Sequence, residues 1–210
     1  MSKVTILFQG DSITDCGRSR EVDALRVGAG LGAGYPTLIA ARLLCDRPET
    51  EWNILNRAIS GNRVVDLYAR WKLDALNLKP DVLSIMIGVN DTWHEKARAN
   101  GVEVPRYARI YRELLEWTKT TLPAIKLVLL EPYVLEFGAV GADWIDEMAA
   151  RTQVVRDLAK EFGATLIPTQ DILNEAVKRA APEHWLADGV HPLLAGHQLI
   201  ADAWLKAVKL

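Results

Sequence analysis

Four short polar turns hold the side chains of this chain best suited to chemistry: Gly10-Asp11-Ser12, Ser60-Gly61-Asn62, Gly88-Val89-Asn90-Asp91 and Asp188-Gly189-Val190-His191. A serine hydroxyl becomes a nucleophile when a base takes its proton, a carboxylate orients that base, and hydrogen-bond donors face the oxyanion that develops. Ser12 can supply the hydroxyl, His191 the base and Asp188 the carboxylate. The Gly61 N–H, the Asn90 side-chain amide and the Ser12 N–H can supply the donors. Taken singly, each signal is weak. A Gly-Asp-Ser after a strand can simply place Ser12 or Thr14 at a helix cap, and Asp-x-x-His alone specifies little. Together the four turns fill every role that acyl transfer by a serine needs.

These turns can meet only if the elements before them end at one edge. Val4–Phe8 is short, β-branched and aromatic, and reads as a buried first strand. Trp52–Ala58, Val82–Ile87, Lys126–Leu130 and Ala164–Ile167 read as four more. Helical spacing predicts helices opening at Pro36, over Val64–Trp71, Tyr107–Thr121, Ile145–Leu158, Asp171–Ala180 and Ala195–Val208. Strands alternating with helices argue for an α/β fold with a parallel sheet covered on both faces. The first three polar turns each follow an expected strand, so in such a sheet they converge at its carboxyl edge. The 210 residues are read as one domain, 1–210, with no repeat or linker. Between Cys16 and Tyr35 lies a long connection with glycines at 28, 30, 32 and 34, whose length points to function or mobility.

Composition narrows the field. A formal net charge of -2 with scattered basic residues gives no electrostatic reason to expect nucleic acid or an anionic membrane as partner. No apolar run reaches membrane-spanning length, and Met1-Ser2-Lys3 leads straight into a strand with no export signal. A cytoplasmic protein with Cys16 and Cys45 as reduced thiols is therefore expected. The glycines at 28 to 34 do not sit between a strand and a helix, which argues against a dinucleotide loop. His184, His191, His197 and Asp188 lack metal-site spacing, so neither metal nor organic cofactor is expected. His184 and His197 are read as structural or solvated, and His94 as a surface histidine.

The four turns, in this order, resemble the four blocks of the SGNH, or GDSL, hydrolase family, whose letters fall on Ser12, Gly61, Asn90 and His191, with Asp188 three residues before the histidine. Thr14 stands where a Gly-x-Ser-x-Gly elbow would need glycine, so the chain does not resemble ordinary α/β-hydrolases. Within the family, Gly10-Asp11-Ser12-Ile13-Thr14-Asp15-Cys16-Gly17-Arg18, Ile59-Ser60-Gly61-Asn62, Ser84 to Trp93 and Val190-His191-Pro192 with Ala195-Gly196-His197 are closer to bacterial intracellular esterases that deacetylate xylo-oligosaccharides. The resemblance implies a three-layer flavodoxin-like sandwich with a central five-stranded parallel sheet, catalytic Ser12, Asp188 and His191, and an oxyanion hole of Ser12, Gly61 and Asn90. It also implies an acylated carbohydrate as substrate and a homo-oligomer. Asp11, Asp15, Arg18 and Trp93 are candidates to hold the sugar, Trp93 offering an aromatic face or serving as plain core. Two alternatives stand: a short-chain carboxylesterase, thioesterase or lysophospholipase of the same family, and a carbohydrate-binding protein without catalysis.

Overall fold

In a computed structural model, residues 3–21 and 28–210 are described. The Met1-Ser2 start and the 22–27 part of the long glycine-containing connection lie outside the described residues.

Five strands form one sheet: β1 (Lys3–Gly10), β2 (Glu51–Asn56), β3 (Val82–Met86), β4 (Lys126–Leu130) and β5 (Thr165–Ile167). Their order is β2-β1-β3-β4-β5 and every neighbouring pair is parallel. A strand buried on both faces can be apolar at every position, which is why these runs do not alternate with polar residues. Ile6 and Phe8 of β1, Val82 and Met86 of β3, and Val128 and Leu130 of β4 pack into one core. The intervening Leu7, Leu83, Ile85, Leu127 and Leu129 pack into the other.

The first core is closed by α2 (Tyr35–Asp46), α7 (Thr169–Ala176) and α9 (Leu194–Ala207). The second is closed by α3 (Val64–Asp74), α5 (Val104–Thr121) and α6 (Ile145–Phe162). The one polar residue inside β3, Ser84, accepts the Trp204 indole N–H of α9 at 3.1 Å, so both buried polar groups are satisfied. Likewise Trp71 Nε1 donates to Thr118 at 2.9 Å across α3 and α5. Trp52, Trp71, Trp144, Trp185 and Trp204 are all core side chains; Trp117 is partly buried.

Three short or polar helices were not legible as such. The stretch after β3 forms α4 (Val89–Arg98), where only a turn is expected from the sequence. Its N-terminus is set by Gly88, whose φ of +139° only glycine tolerates easily and whose missing Cβ leaves room for Tyr107 Oη and Pro132. The Tyr107 hydroxyl donates to the Ile87 carbonyl at 2.8 Å in that space. The others are α1 (Ser12–Asp15) and α8 (Pro182–Trp185). No helix among the described residues is long and apolar enough to cross a membrane.

Candidate active site

The sheet order places β1 and β3 side by side while the chain leaves β1 toward β2 and leaves β3 toward β4. The carboxyl end of this pair is the topological switch point, where open α/β sheets leave a crevice. Ser12 follows β1 there and Asn90 follows β3. Ser12 opens α1, whose N-cap is Asp11; the Asp11 carboxylate accepts the Ile13 N–H at 3.0 Å. Asp11, rather than Ser12 or Thr14, therefore caps the helix, which leaves the Ser12 hydroxyl available.

That hydroxyl lies 2.9 Å from His191 Nε2, and His191 Nδ1 lies 2.7 Å from Asp188 Oδ2. An ionised carboxylate only accepts, so the Asp188 contact assigns the ring proton to Nδ1 and leaves Nε2 to accept from Ser12. The other carboxylate oxygen, Oδ1, accepts the backbone N–H groups of Val190 at 3.0 Å and His191 at 2.8 Å. Burial alone pushes the Asp188 carboxyl up, but these amide bonds and the imidazole outweigh it and hold it below its ordinary value. Asp188 thus stays ionised beside the imidazole.

No strand precedes this turn, so other contacts hold it in place. Leu186 and Pro192 form an isolated antiparallel bridge, and Ala187 N–H donates to the His191 carbonyl at 2.8 Å. Gly189, at φ +91°, packs against the carbonyls of Leu135 and Phe137, where a Cβ would sit 2.6 and 2.5 Å away. Leu135 N–H in turn donates to the Gly189 carbonyl at 2.9 Å. The loop after β4 is the support that positions His191.

The donor side is built from two neighbouring turns. Asn90 Nδ2 donates one hydrogen to the Asn62 carbonyl at 3.1 Å, which fixes the amide and leaves its second hydrogen for a ligand. No hydrogen bond within the described residues occupies the N–H of Gly61 or Ser12. Beneath them Asp91 accepts the Val64 N–H with both carboxylate oxygens, at 3.1 and 3.2 Å, and so ties the start of α4 to the start of α3. Its burial raises its pKa to about 7 despite the nearby Arg151 cation.

Three candidates for holding a sugar are placed elsewhere. Asp15 is buried; Oδ2 accepts the Ser60 N–H at 2.8 Å and Oδ1 the Arg18 N–H at 3.1 Å. Arg18 is also buried and donates from Nε to the Ala58 carbonyl at 2.8 Å. Both bind the Gly61 turn to α1 from behind and neither lines the cleft. Asp11 is buried as well, and burial raises its pKa to about 7. Trp93 does line the cleft, partly buried against the first core, with its ring 5.7 Å from that of His191 and edge-on to Trp144 at 5.4 Å.

The cleft is about 260 Å³, lined by Ser12, Ser60, Gly61, Asn90, Trp93, His94, Ala97, Arg98 and His191. Larger hollows lie between α2 and α9 and beside α6, and share no lining residue with the cleft. His94, Ala97 and Arg98 are cleft residues that the sequence reading missed; the signal is their spacing from Asn90, which becomes visible only once the stretch is known to be helical. His184 is exposed against the Trp185 ring.

His197 is structural. Its Nδ1 accepts the Tyr35 N–H at 3.2 Å, and Nε2 faces Cys16 Sγ at 3.5 Å. Burial, aided by His191, lowers its pKa to about 4 from 6.5. The unfolded chain therefore binds this proton first, and the stabilisation from neutral His197 is complete above pH 6.5 and is lost as pH falls toward 4. Asp11 and Asp91, with raised values, give the opposite slope, so the test is a difference. The stability gap between the protein and His197→Gln should shrink by roughly 1.4 kcal/mol per pH unit across that window. Urea unfolding at several pH values measures it; a constant gap contradicts a neutral His197.

A serine, an imidazole and a carboxylate joined in this order, at the switch point of a doubly wound parallel sheet, make the arrangement that serine hydrolases use. The chain belongs to the GDSL-like lipase/acylhydrolase family, whose model matches residues 8–199, and is a carboxylic ester hydrolase. It is 37% identical over 208 residues to the acetylxylan esterase of Geobacillus stearothermophilus, covering 97% of this chain and 93% of that one. Its fold superimposes on a GDSL-like lipase candidate from Parabacteroides merdae with a TM-score of 0.94, at 42% identity, over 98% of this chain and 95% of the other. The serine-to-alanine and aspartate-to-alanine catalytic mutants of the Geobacillus acetylxylan esterase each match with a TM-score of 0.88 at 35% identity, over 98% of this chain and 94% of theirs.

Proposed function

We propose that this chain is a single-domain serine esterase that removes O-acetyl groups from carbohydrates such as xylo-oligosaccharides. The observation that carries the mechanism is the continuous chain from Ser12 Oγ to His191 Nε2 at 2.9 Å and from Nδ1 to Asp188 at 2.7 Å. Ser12 attacks the acetyl carbonyl as His191 takes the hydroxyl proton, and the oxyanion is received by the Asn90 amide and the N–H groups of Gly61 and Ser12. Collapse of the tetrahedral intermediate breaks the bond to the sugar oxygen, which takes the proton from His191. Water then attacks the acetyl-serine, giving its proton to the same imidazole, and the Ser12 oxygen recovers it as acetate leaves.

An acetylated sugar as substrate is supported by a small cleft at Ser12, Ser60, Gly61 and Asn90, by the Trp93 ring beside His191 on the side where the alcohol leaves, and by the acetylxylan esterase relative. The free thiols of Cys16 and Cys45 fit a reducing, cytoplasmic setting. Acyl length tests the reading. In a series of 4-nitrophenyl esters, kcat/KM is expected to fall by about tenfold or more from acetate to butyrate and further to octanoate. Comparable rates on octanoate would instead support the thioesterase or lysophospholipase alternative.

A further inference from the structure

One face of α4 forms a wall of the cleft: Asn90, Trp93, His94 and Ala97 recur at helical spacing, with Arg98 beside them. The alcohol leaving the acyl group must come within hydrogen-bond reach of His191 Nε2, and Trp93 is the ring that packs against His191. The alcohol portion of a substrate therefore runs beside Trp93 and along α4. Arg98 lies about 7.5 Å further along that axis, lining the same cleft beside the small Ala97 side chain.

Carboxylates near α4 bond elsewhere than to Arg98. Asp66 is held by Arg63 through Nε at 3.0 Å and Nη2 at 3.1 Å. Asp143 pairs with Lys96 at 2.8 Å, and Glu95 accepts the Gly101 N–H at 2.9 Å. Among the described residues the polar partner of Arg98 is His94, 3.1 Å from its Nη2. Burial, together with the Arg98 and Arg63 charges, lowers the His94 pKa. Among the described residues no carboxylate pairs with this exposed guanidinium at the end of the cleft, and its planar fork suits one.

We propose that Arg98 makes the alcohol end of this cleft an anion-binding subsite, so that preferred esters carry a carboxylate on a sugar neighbouring the acylated one. This rests on the esterase reading above. The test compares kcat/KM on an acetylated xylo-oligosaccharide bearing a uronic acid with that on the same molecule whose carboxylate is reduced to hydroxymethyl, at low salt. The acidic substrate should be preferred about fivefold, as expected for one exposed charge pair. The preference should vanish in Arg98→Gln, persist in Arg98→Lys and weaken with added salt. Equal rates on both substrates, or a preference that survives in Arg98→Gln, would overturn the subsite while leaving the esterase intact. Hydrolysis of both substrates at the full rate by Ser12→Ala would instead overturn the esterase mechanism, and the subsite with it.

Discussion

Alanine in place of Ser12 or His191 is expected to lower kcat on 4-nitrophenyl acetate by about 10,000-fold or more, with the double variant no slower than either single one. The two groups act on one proton: without His191 the hydroxyl stays a poor nucleophile, and without Ser12 the imidazole has nothing to activate in the acylation step. Their 2.9 Å contact is the physical basis of that coupling. Fold should be little affected, because the hydroxyl is half-buried at the first position of α1 while the cap is supplied by Asp11. Steady-state kinetics on the three variants, with melting temperatures as control, gives the answer. Losses that multiply in the double variant would mean that the two side chains work independently.

Asn90→Ala is the second large effect, a fall of about 100- to 1,000-fold in kcat with KM nearly unchanged. The split follows from when the interaction is made. A donor aimed at the oxyanion strengthens only as charge develops, so its loss raises the barrier without weakening ground-state binding. Because Asn90 also donates to the Asn62 carbonyl, alanine leaves that group unpaired, and a modest stability loss of about 1 kcal/mol is expected alongside. Asn90→Asp keeps the shape but loses both donations, placing an acceptor against the oxyanion and against the Asn62 carbonyl, and should be at least as slow and at least as destabilised. Near-normal turnover in both variants would remove Asn90 from the mechanism.

Much of this site is legible in the sequence because its chemistry sits on turns after recognisable strands. The runs around Ile6, Leu83 and Leu129 are apolar at successive positions, which only a strand covered on both faces requires, and a parallel sheet brings the turns after β1, β2 and β3 to one edge. Side-chain direction is not legible in the same way. Asp15 and Arg18 are polar and close to Ser12 in sequence, yet α1 is so short that both turn back under the Gly61 loop and serve as its anchors. Helix α4 escaped notice because its residues are mostly polar and its start depends on Gly88, a tertiary requirement set by Tyr107 and Pro132. Missing that helix hid His94, Ala97 and Arg98. The position of His191, by contrast, is specified by backbone contacts from a loop some fifty residues earlier, where spacing alone carries no signal.

Acetate release from acetylated xylo-oligosaccharides at neutral pH, compared between the protein and Ser12→Ala, tests the central claim most directly. Rapid release that disappears in the variant is the expected result, since the reaction then requires both the sugar ester and the Ser12 hydroxyl. Release that continues undiminished in Ser12→Ala would contradict the serine mechanism.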